Sequence, residues 1–322
     1  MNIAFAGVRH SHILDLYNMA IKNEEVNIVG CFEENEAARL AATESHGLRF
    51  TYKSYEEVLN DKNIDAIAIG DYYAKRGKMV IEALKHNKHV ICDKPICTDL
   101  DELDEIEKLS DEKGLQVVCM LDLRYMKAAT KARELIAQGV IGKVNIASFT
   151  AQHCLNYGVR PGWYFEEGKH GGTINDIAIH GVDLVRYITG KNLTKVNYAR
   201  VWNAFADKEP NFKDCGQFAV EMEDLALSAD VSYAAPAFKD GFLPTYWDFS
   251  FWGDKGLIKF NLREDKVYLY TDKEEIIEGN DLGTNWILDF INEIKGVKTL
   301  LNKKETLESQ RQVLKIQKAA DK

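Results

Sequence analysis

The first strand, helix and second strand of the chain carry the pattern that decides the fold. Residues 2–32 read NIAFAGVRHSHILDLYNMAIKNEEVNIVGCF, in which an apolar run, a glycine turn, a helical pattern and a second apolar run follow one another. We interpret Asn2 to Ala6 as a strand, Ser11 to Lys22 as a helix and Val26 to Phe32 as a second strand. Because two parallel strands need a crossover of about a dozen residues, this stretch predicts a βαβ unit.

The same alternation of short apolar runs and helical patterns continues to Leu121. Further strands are predicted at residues 48–51, 66–70, 89–92 and 115–120, with helices at 36–45, 55–59, 74–86 and 101–113. Apolar strands that alternate with helices indicate a parallel sheet covered on both faces. Residues 1–121 are therefore predicted to form a doubly wound, Rossmann-type α/β domain.

The pattern changes after Leu121. Longer strands with period-two patterning are predicted at residues 144–150, 196–202, 225–233 and 247–252, mostly without helices between them. Such strands favour a largely antiparallel sheet. With helices at 128–138, 173–188, 286–294 and 304–318, residues 122–322 are predicted to form an α+β domain, whose last helix could pack back on the first domain.

Composition and charge limit the class of protein and its ligands. The 322 residues suit two domains. The net charge of −9, with 41 basic against 50 acidic side chains, argues against a nucleic-acid partner. No run approaches the roughly 18 apolar residues of a membrane span, and the chain opens without a signal-peptide pattern. We therefore expect a cytoplasmic protein with a small-molecule ligand and neither nucleic acid nor a membrane as partner.

Cysteines and histidines give little reason to expect a metal. The six cysteines are scattered without a C-x-x-C pair, so reduced, buried thiols are favoured over a disulfide or zinc site. His10-Ser11-His12 after the first strand could be the H-x-H metal motif of a barrel hydrolase. Later ligand-bearing strand ends are not evident and the sheet pattern changes after Leu121, so we set that interpretation aside and expect no metal.

The first turn between strand and helix, Ala6-Gly7-Val8-Arg9-His10-Ser11-His12, lies where a Rossmann fold places a pyrophosphate on a helix N-terminus. Of the glycines in G-x-G-x-x-G only Gly7 is present, and Arg9 and His12 replace the others. Arg9 and Ser11 could contact phosphates with their side chains while free N–H groups keep their role. Alternatively, the turn is a degenerate loop that no longer binds nucleotide.

Charged residues follow two of the predicted strands. Glu33 ends the second strand, where an acidic residue binds the adenosine ribose and favours NAD over NADP. Glu34 is an equally suited occupant, and both could instead be solvated acids at a helix start. Lys94 lies in Asp93-Lys94-Pro95, after the strand Val90-Ile91-Cys92. It could donate a hydrogen bond to a substrate oxygen, or it could be a surface charge.

A later stretch, Gly171-Gly172-Thr173-Ile174-Asn175-Asp176-Ile177-Ala178-Ile179-His180-Gly181-Val182-Asp183, combines a glycine turn with a helix. At i, i+4 and i+7, Asp176, His180 and Asp183 share one helix face, so two carboxylates flank an imidazole. The group could be an acid–base pair or a metal site. It could also be an ordinary capped helix with a surface histidine.

Together these features resemble the glucose-fructose oxidoreductase and inositol dehydrogenase (Gfo/Idh/MocA) family over nearly the entire chain. His89-Val90-Ile91-Cys92-Asp93-Lys94-Pro95 resembles the family's K-H-V-x-x-E-K-P segment, and the run ending at Asp183 resembles GG-x-x-x-D-x-x-x-H-x-x-D. Gly142-Lys143 and Glu223-Asp224 are smaller agreements.

The resemblance implies reversible hydride transfer between NAD, or less favourably NADP, and a hydroxyl-bearing carbon of a sugar, cyclitol or related polyol. It implies that His180 is the general base, that Asp176 orients the substrate and the imidazole, and that Lys94 holds the same oxygen. The implied cofactor contacts are Gly7, Val8, Arg9, His10, Ser11, His12, Glu33, Asp71, Tyr72, Arg76, Asp93 and Lys94. Fold-level analogy also suggests a homo-oligomer, either a dimer or a tetramer.

The chain departs from the family pattern around the expected site. Where the family commonly has T-P-N-x-x-H, this chain has Asp71-Tyr72-Tyr73-Ala74-Lys75-Arg76. Asp93 shortens the usual glutamate, and Ala178 stands where glycine is frequent. Asp122-Leu123-Arg124-Tyr125 only partly resembles N-x-R-[FY]. We predict substrate contacts for four residues that could equally be packing: Arg124, Tyr125, Trp163 and Tyr164.

Two further functions fit the same fold. An enzyme could retain NAD and use transient oxidation for elimination or hydrolysis, since the same base would serve both reactions. A non-catalytic sensor of NAD or sugar is the other alternative. The intact set of Lys94, Asp176 and His180 argues against a sensor, which needs no acid–base pair.

Overall fold

The computed structural model describes residues 1–236 and 246–322, which form two compact units. The first unit comprises residues 1–120, 161–171 and 285–310, and the second comprises residues 121–160, 172–284 and 311–322. Each unit has its own sheet. Within residues 1–236 and 246–322, no helix is both long enough and apolar enough to cross a bilayer.

The first unit is built on a five-stranded parallel sheet. Its strands are β1 (Asn2–Val8), β2 (Asn27–Phe32), β3 (Ala66–Gly70), β4 (His89–Cys92) and β5 (Val117–Cys119). Its first helices are α1 (His12–Ile21), α2 (Glu36–His46), α3 (Tyr55–Asn60), α4 (Tyr73–Lys85) and α5 (Leu100–Glu112). The strand order β2-β1-β3-β4-β5, with every pair parallel, confirms the predicted Rossmann-type sheet.

Burial of both sheet faces explains why the central strands are wholly apolar. All five residues of β3, AIAIG, are buried, as are Ile3, Ala4 and Phe5 of β1. The strand order reverses between β1 and β3, and open α/β sheets bind ligands outside the carboxyl ends of the strands at such a point. Gly7 and Asp71 lie at this edge.

The stretch predicted as a strand at residues 48–51 is not one in the structure. Phe50 forms only an isolated bridge with Cys31. The Cys31 amide donates to Arg49 O at 3.2 Å and the Thr51 amide donates to Cys31 O at 3.1 Å. These few bonds tie the segment to the edge strand β2 without extending the sheet.

The second unit is built on an eight-stranded sheet. Its strands are β6 (Val144–Cys154), β7 (Lys195–Trp202), β8 (Cys215–Met222), β9 (Leu225–Ala235), β10 (Asp248–Gly253), β11 (Gly256–Asn261), β12 (Lys266–Tyr270) and β13 (Glu274–Glu278). The order is β13-β12-β11-β10-β6-β9-β8-β7. Among these described strands only β6 and β9 pair in parallel, which confirms the largely antiparallel sheet.

Two helices of the second unit, α6 (Lys127–Ala137) and α7 (Ile179–Thr189), pack on each other. The helix predicted at 173–188 is divided, because Ile174–Ala178 forms a π-helical turn before α7 begins. Asp176 lies in this turn and His180 lies in the first turn of α7, so the two do not have ordinary α-helical spacing. Single π-helical turns occur frequently at functional sites.

The last two helices are α8 (Trp286–Ile294) and α9 (Lys303–Ala320). Helix α8 belongs to the first unit, where it contacts α1 and β5. Its buried residues Trp286, Ile287 and Phe290 form one apolar face. The boundary predicted after residue 121 instead places this helix in the second domain. The local sequence does not show that a distant segment packs on the first sheet.

Candidate active site

The turn after β1 is shaped by Gly7, which has a φ of +79°. A Cβ at this position would lie 2.7 Å from the backbone N of Asp71, so only glycine lets the ends of β1 and β3 approach so closely. The amides of Arg9 and His10 donate to Gly70 O at 3.1 and 3.3 Å. These two N–H groups are engaged by the sheet, whereas the exposed Ser11 makes no side-chain capping bond at the start of α1.

Gly7→Ala should lower the free energy of unfolding by about 2–5 kcal/mol, through left-handed backbone strain and overpacking. The added Cβ would meet the backbone of Asp71, which cannot rotate away. The matched control is Gly47→Ala, with a φ of +70° and no atom within 4 Å of its Cβ, so it carries only the backbone strain. Urea denaturation of both variants measures the difference. Equal losses at the two positions would contradict the close approach.

Glu33, directly after β2, is buried and oriented by two backbone donors. Its Oε2 accepts from the Val8 amide at 2.7 Å, and its Oε1 accepts from the Asn35 amide at 2.8 Å. Burial raises the pKa of this carboxyl group, although both hydrogen bonds oppose the rise. The neighbouring Glu34 instead pairs with Lys75 at 2.6 Å. Of the two acids, Glu33 is the one bonded to the turn after β1.

A buried network joins residues that follow β1, β3 and β4. Asp93 Oδ2 accepts from Arg76 Nη2 at 2.9 Å and lies 2.6 Å from His10 Nδ1. Arg76 also donates to the carbonyls of Asp71 and Lys94, at 2.6 and 2.5 Å. Arg76 stands at the histidine of T-P-N-x-x-H and Asp93 stands at the glutamate of E-K-P. The two departures from the family pattern therefore meet in one buried ion pair.

Burial and charge set the protonation states of this network. Burial lowers the pKa of His10 to about 3, so its imidazole is neutral at neutral pH. Burial alone would raise the pKa of Asp93, but the Arg76 charge and the hydrogen bond with His10 hold that pKa well below its usual value. Asp93 is therefore a carboxylate with Arg76 as its counter-charge.

Lys94 lies at the end of β4 and is 4% exposed. Its Nζ lies 6.0 Å from the centroid of the Tyr73 ring. The Lys94–Pro95 peptide bond is cis. Such burial argues against a solvated surface charge, which was the alternative interpretation of this lysine.

Trp163 and Tyr164 lie in the first unit, where they pack against the turn after β1 and the start of α4. Trp163 Nε1 donates to Arg9 O at 3.1 Å, and the Tyr164 hydroxyl lies 2.6 Å from the Tyr73 hydroxyl. The half-buried Tyr72 ring has the Arg9 guanidinium 5.9 Å from its centroid. Substrate contact by Trp163 and Tyr164 stays a prediction, and their packing here fixes the shape of the turn.

In the second unit, two residues of the predicted acid–base helix bond to other elements. Tyr233 of β9 donates its hydroxyl to Asp176. His180 Nδ1 lies 3.4 Å from Oδ1 of Asp122. Both Asp176 and His180 are buried. The imidazole is thus placed beside a carboxylate from outside its own helix.

Asp183, the third residue of the predicted face, forms a bidentate ion pair with Arg124. Arg124 Nε donates to Oδ2 at 2.7 Å and Nη2 donates to Oδ1 at 2.6 Å. Both side chains are 1% exposed, and the guanidinium lies 5.1 Å from the centroid of the Tyr187 ring. This geometry supports a structural role for Arg124. Its contact with substrate, like that of the half-buried Tyr125, stays a prediction.

The sequence does not indicate four residues that lie near His180 or Asp176: His153, Tyr233, Tyr246 and Trp247. The centroid of the Trp247 ring lies 5.9 Å from that of His180, with the rings nearly perpendicular at 84°. His153 Nε2 lies 3.0 Å from the Tyr246 hydroxyl. Burial raises the pKa of Tyr246 to about 12, so this hydroxyl is protonated at neutral pH. The period-two alternation of β6 and β9 could have indicated His153 and Tyr233, whereas Tyr246 and Trp247 precede β10.

These groups have a common chemistry. Phenols, imidazoles and carboxylates are the donors and acceptors that bind hydroxyl groups. An imidazole beside a carboxylate can also accept a proton from a bound hydroxyl. The second unit therefore holds groups whose chemistry suits the binding of a hydroxyl group and the acceptance of its proton.

Comparison with known proteins identifies both parts of the chain. Residues 1–121 match the model of an oxidoreductase family with an NAD-binding Rossmann fold, and residues 129–259 match the GFO/IDH/MocA C-terminal domain. The myo-inositol 2-dehydrogenase of Thermotoga maritima is 27% identical over 153 residues, which cover 48% of this chain and 44% of that protein. The chain spans about half the length of the curated relatives it matches.

Solved structures share the fold along the whole chain. A putative oxidoreductase from Erwinia carotovora atroseptica SCRI1043 has a TM-score of 0.88 and 22% identity, covering 99% of this chain and 98% of that one. A levoglucosan dehydrogenase in complex with NADH and levoglucosan has a TM-score of 0.82 and 18% identity, covering 100% and 97% of the two chains. With the two adjoining family models matched, the chain belongs to the GFO/IDH/MocA oxidoreductase family.

Proposed function

We propose that this protein is an NAD-dependent dehydrogenase that oxidises a hydroxyl-bearing carbon of a sugar, cyclitol or related polyol. The observation that carries the proposal is the placement of His180 beside Asp122, which gives the second unit a base for the hydroxyl proton. A hydride leaves an alcohol carbon only if the hydroxyl proton leaves as well, and histidine suits that proton transfer near neutral pH. The relatives named for myo-inositol and levoglucosan support the polyol class.

The geometry of the first unit fits a dinucleotide. Gly7 lets the backbone at the end of β1 approach Asp71 closely, and α1 begins at His12 without a side-chain cap. Gly7, Arg9 and Ser11, with the N-terminus of α1, would hold the pyrophosphate, and Glu33 would hold the adenosine ribose. Tyr72, with the side chains around it, would line the rest of the cofactor site. When bound, the nicotinamide supplies the hydride acceptor.

The protein's own residues handle the proton and the substrate oxygen. His180 accepts the hydroxyl proton at a ring nitrogen, and the Asp122 carboxylate stabilises the resulting imidazolium. Asp176, held by the Tyr233 hydroxyl, orients the substrate. The family resemblance assigns Lys94, which is buried in the first unit, a hydrogen bond to a substrate oxygen.

NAD should bind at least about tenfold more tightly than NADP, a difference of about 1.4 kcal/mol. The carboxylates of Glu33 and Glu34 would repel the 2′-phosphate of NADP. Calorimetric titration of the full chain with each nucleotide measures the ratio, and Glu33→Gln should narrow it. The exposed Glu24 provides the control, because Glu24→Gln should leave the ratio unchanged. An absence of heat with both nucleotides would contradict the proposal.

We also propose that the protein is a cytoplasmic homo-oligomer. Ile146 of β6 and Trp252 of β10 are cross-strand neighbours, and they are 52% and 50% exposed. An exposed apolar pair on a sheet face suits self-association. All six cysteines are free thiols, which supports a reducing compartment.

A further inference from the structure

We propose that His10, His12 and Asp93 form a binding site for a divalent transition metal ion of the zinc class. The three residues follow the carboxyl ends of β1 and β4. Each offers one ligand atom, and these atoms lie within 4.8 Å of one another. The site goes beyond the dehydrogenase function and does not depend on it. Asp93, directly after β4, gives the histidines of His10-Ser11-His12 a third ligand from another strand end.

The spacing of two atoms suits a shared ion. Asp93 Oδ1 and His12 Nδ1 are buried atoms with no hydrogen-bond partner in the part of the chain that the structure describes. They face each other at 3.6 Å. That distance is long for a hydrogen bond but close to the separation of about 3.4 Å between two ligands of a tetrahedral zinc ion.

His10 supplies the third ligand. Its ring lies edge-on to that of His12, with the centroids 4.4 Å apart. Its Nδ1 lies 2.6 Å from Asp93 Oδ2, so the His10 ring directly contacts the carboxylate of the proposed site.

Arg76 leaves the three ligands in place but limits their affinity for a metal ion. The guanidinium donates to Oδ2 of Asp93 at 2.9 Å, which leaves Oδ1 directed at His12. Its positive charge lies beside the ligand set. The same charge repels a cation, so we expect micromolar rather than nanomolar affinity.

The donor set selects the class of metal. Two imidazoles and one carboxylate, with a fourth position for water or an anion, are typical of zinc. Calcium and magnesium prefer sites made of oxygen ligands alone. We therefore expect Zn²⁺ and Co²⁺ to bind and Mg²⁺ not to compete with them.

The test uses the full chain without a histidine tag, stripped of metal by a chelator. Calorimetric titration with Zn²⁺ should give a single equivalent per chain. His12→Ala should weaken binding by more than about tenfold, since even changes to groups behind a metal ligand reach that size. His12 is a suitable site for substitution because its side chain is 34% exposed. The matched control is the partly exposed His46 at the end of α2, and His46→Ala should bind Zn²⁺ as the wild type does.

Cobalt provides a second measurement that needs no variant. Co²⁺ bound to two imidazoles and a carboxylate in a tetrahedral site should give strong visible absorption, and Zn²⁺ should abolish it. Substoichiometric Zn²⁺ binding, equal binding by His12→Ala and the wild type, or no visible absorption with Co²⁺ would overturn the proposal. NAD titration of the same stripped protein reports separately on the dehydrogenase function.

Discussion

His180→Ala should lower kcat by about a hundredfold to ten-thousandfold with a polyol that the wild-type protein oxidises. The substitution removes the proposed acceptor of the hydroxyl proton, which lies 3.4 Å from Asp122 in the second unit. The proposed cofactor residues belong to the first unit, so the affinity for NAD should stay within about twofold of the wild type. NADH formation measures kcat, and calorimetry measures the NAD affinity.

His46→Ala, outside the proposed site, is the control for this variant, and it should leave both quantities unchanged. A parallel loss of kcat and NAD affinity in His180→Ala would mean that the helix around His180 has a structural role. A variant that kept full activity would exclude His180 as the base.

Arg124→Met should destabilise the protein by about 3–5 kcal/mol, the usual cost of leaving one charge of a buried ion pair without its partner. Asp183 would lose the two hydrogen bonds of 2.7 and 2.6 Å that compensate its burial. The double variant Arg124→Met with Asp183→Leu should recover most of this loss, because neither buried charge remains. Urea denaturation measures all three proteins.

The exposed pair Lys127 and Asp265 gives a matched control. Their charged atoms lie 2.7 Å apart, but the side chains are 44% and 59% exposed. Asp265→Asn should therefore cost only about 0–1 kcal/mol. If Arg124→Met cost as little, the guanidinium would be available for the substrate contact that the sequence suggests.

The first unit was predictable because its strands have a strong local signal. The strands predicted at 66–70 and 89–92 have the same bounds in the structure. Each is a short apolar run between turn residues. This pattern is expected because both faces of the sheet are buried. The edge segment at 48–51 was predicted as a strand for the same reason, but pairing at an edge depends on neighbours that the local sequence does not show.

Residues of the candidate site could be predicted only where they belong to a sequence motif. Lys94, Asp176 and His180 follow from the resemblance, whereas Tyr233 and Asp122 do not, because their meeting with the helix depends on packing between distant segments. Local helix propensity also does not predict the π-helical turn at Ile174–Ala178.

Two residues that depart from the family pattern contact each other in the structure. Arg76 and Asp93 each differ from the expected residue in the sequence, and the structure places them in one buried ion pair of 2.9 Å. Asp93 also connects this pair to His10. The sequence does not show that these two positions meet, because residues on α4 and after β4 come together only when the sheet forms.

The proposed hydride transfer is tested most directly by NADH formation. The full wild-type chain is mixed with NAD and, one at a time, with myo-inositol, levoglucosan and a panel of related sugars and cyclitols. We expect the absorbance of NADH to rise with at least one of them, in proportion to the polyol consumed, and not to rise with His180→Ala. Conversion of a polyol without any NADH would contradict the proposed dehydrogenase and indicate that NAD is retained for elimination or hydrolysis.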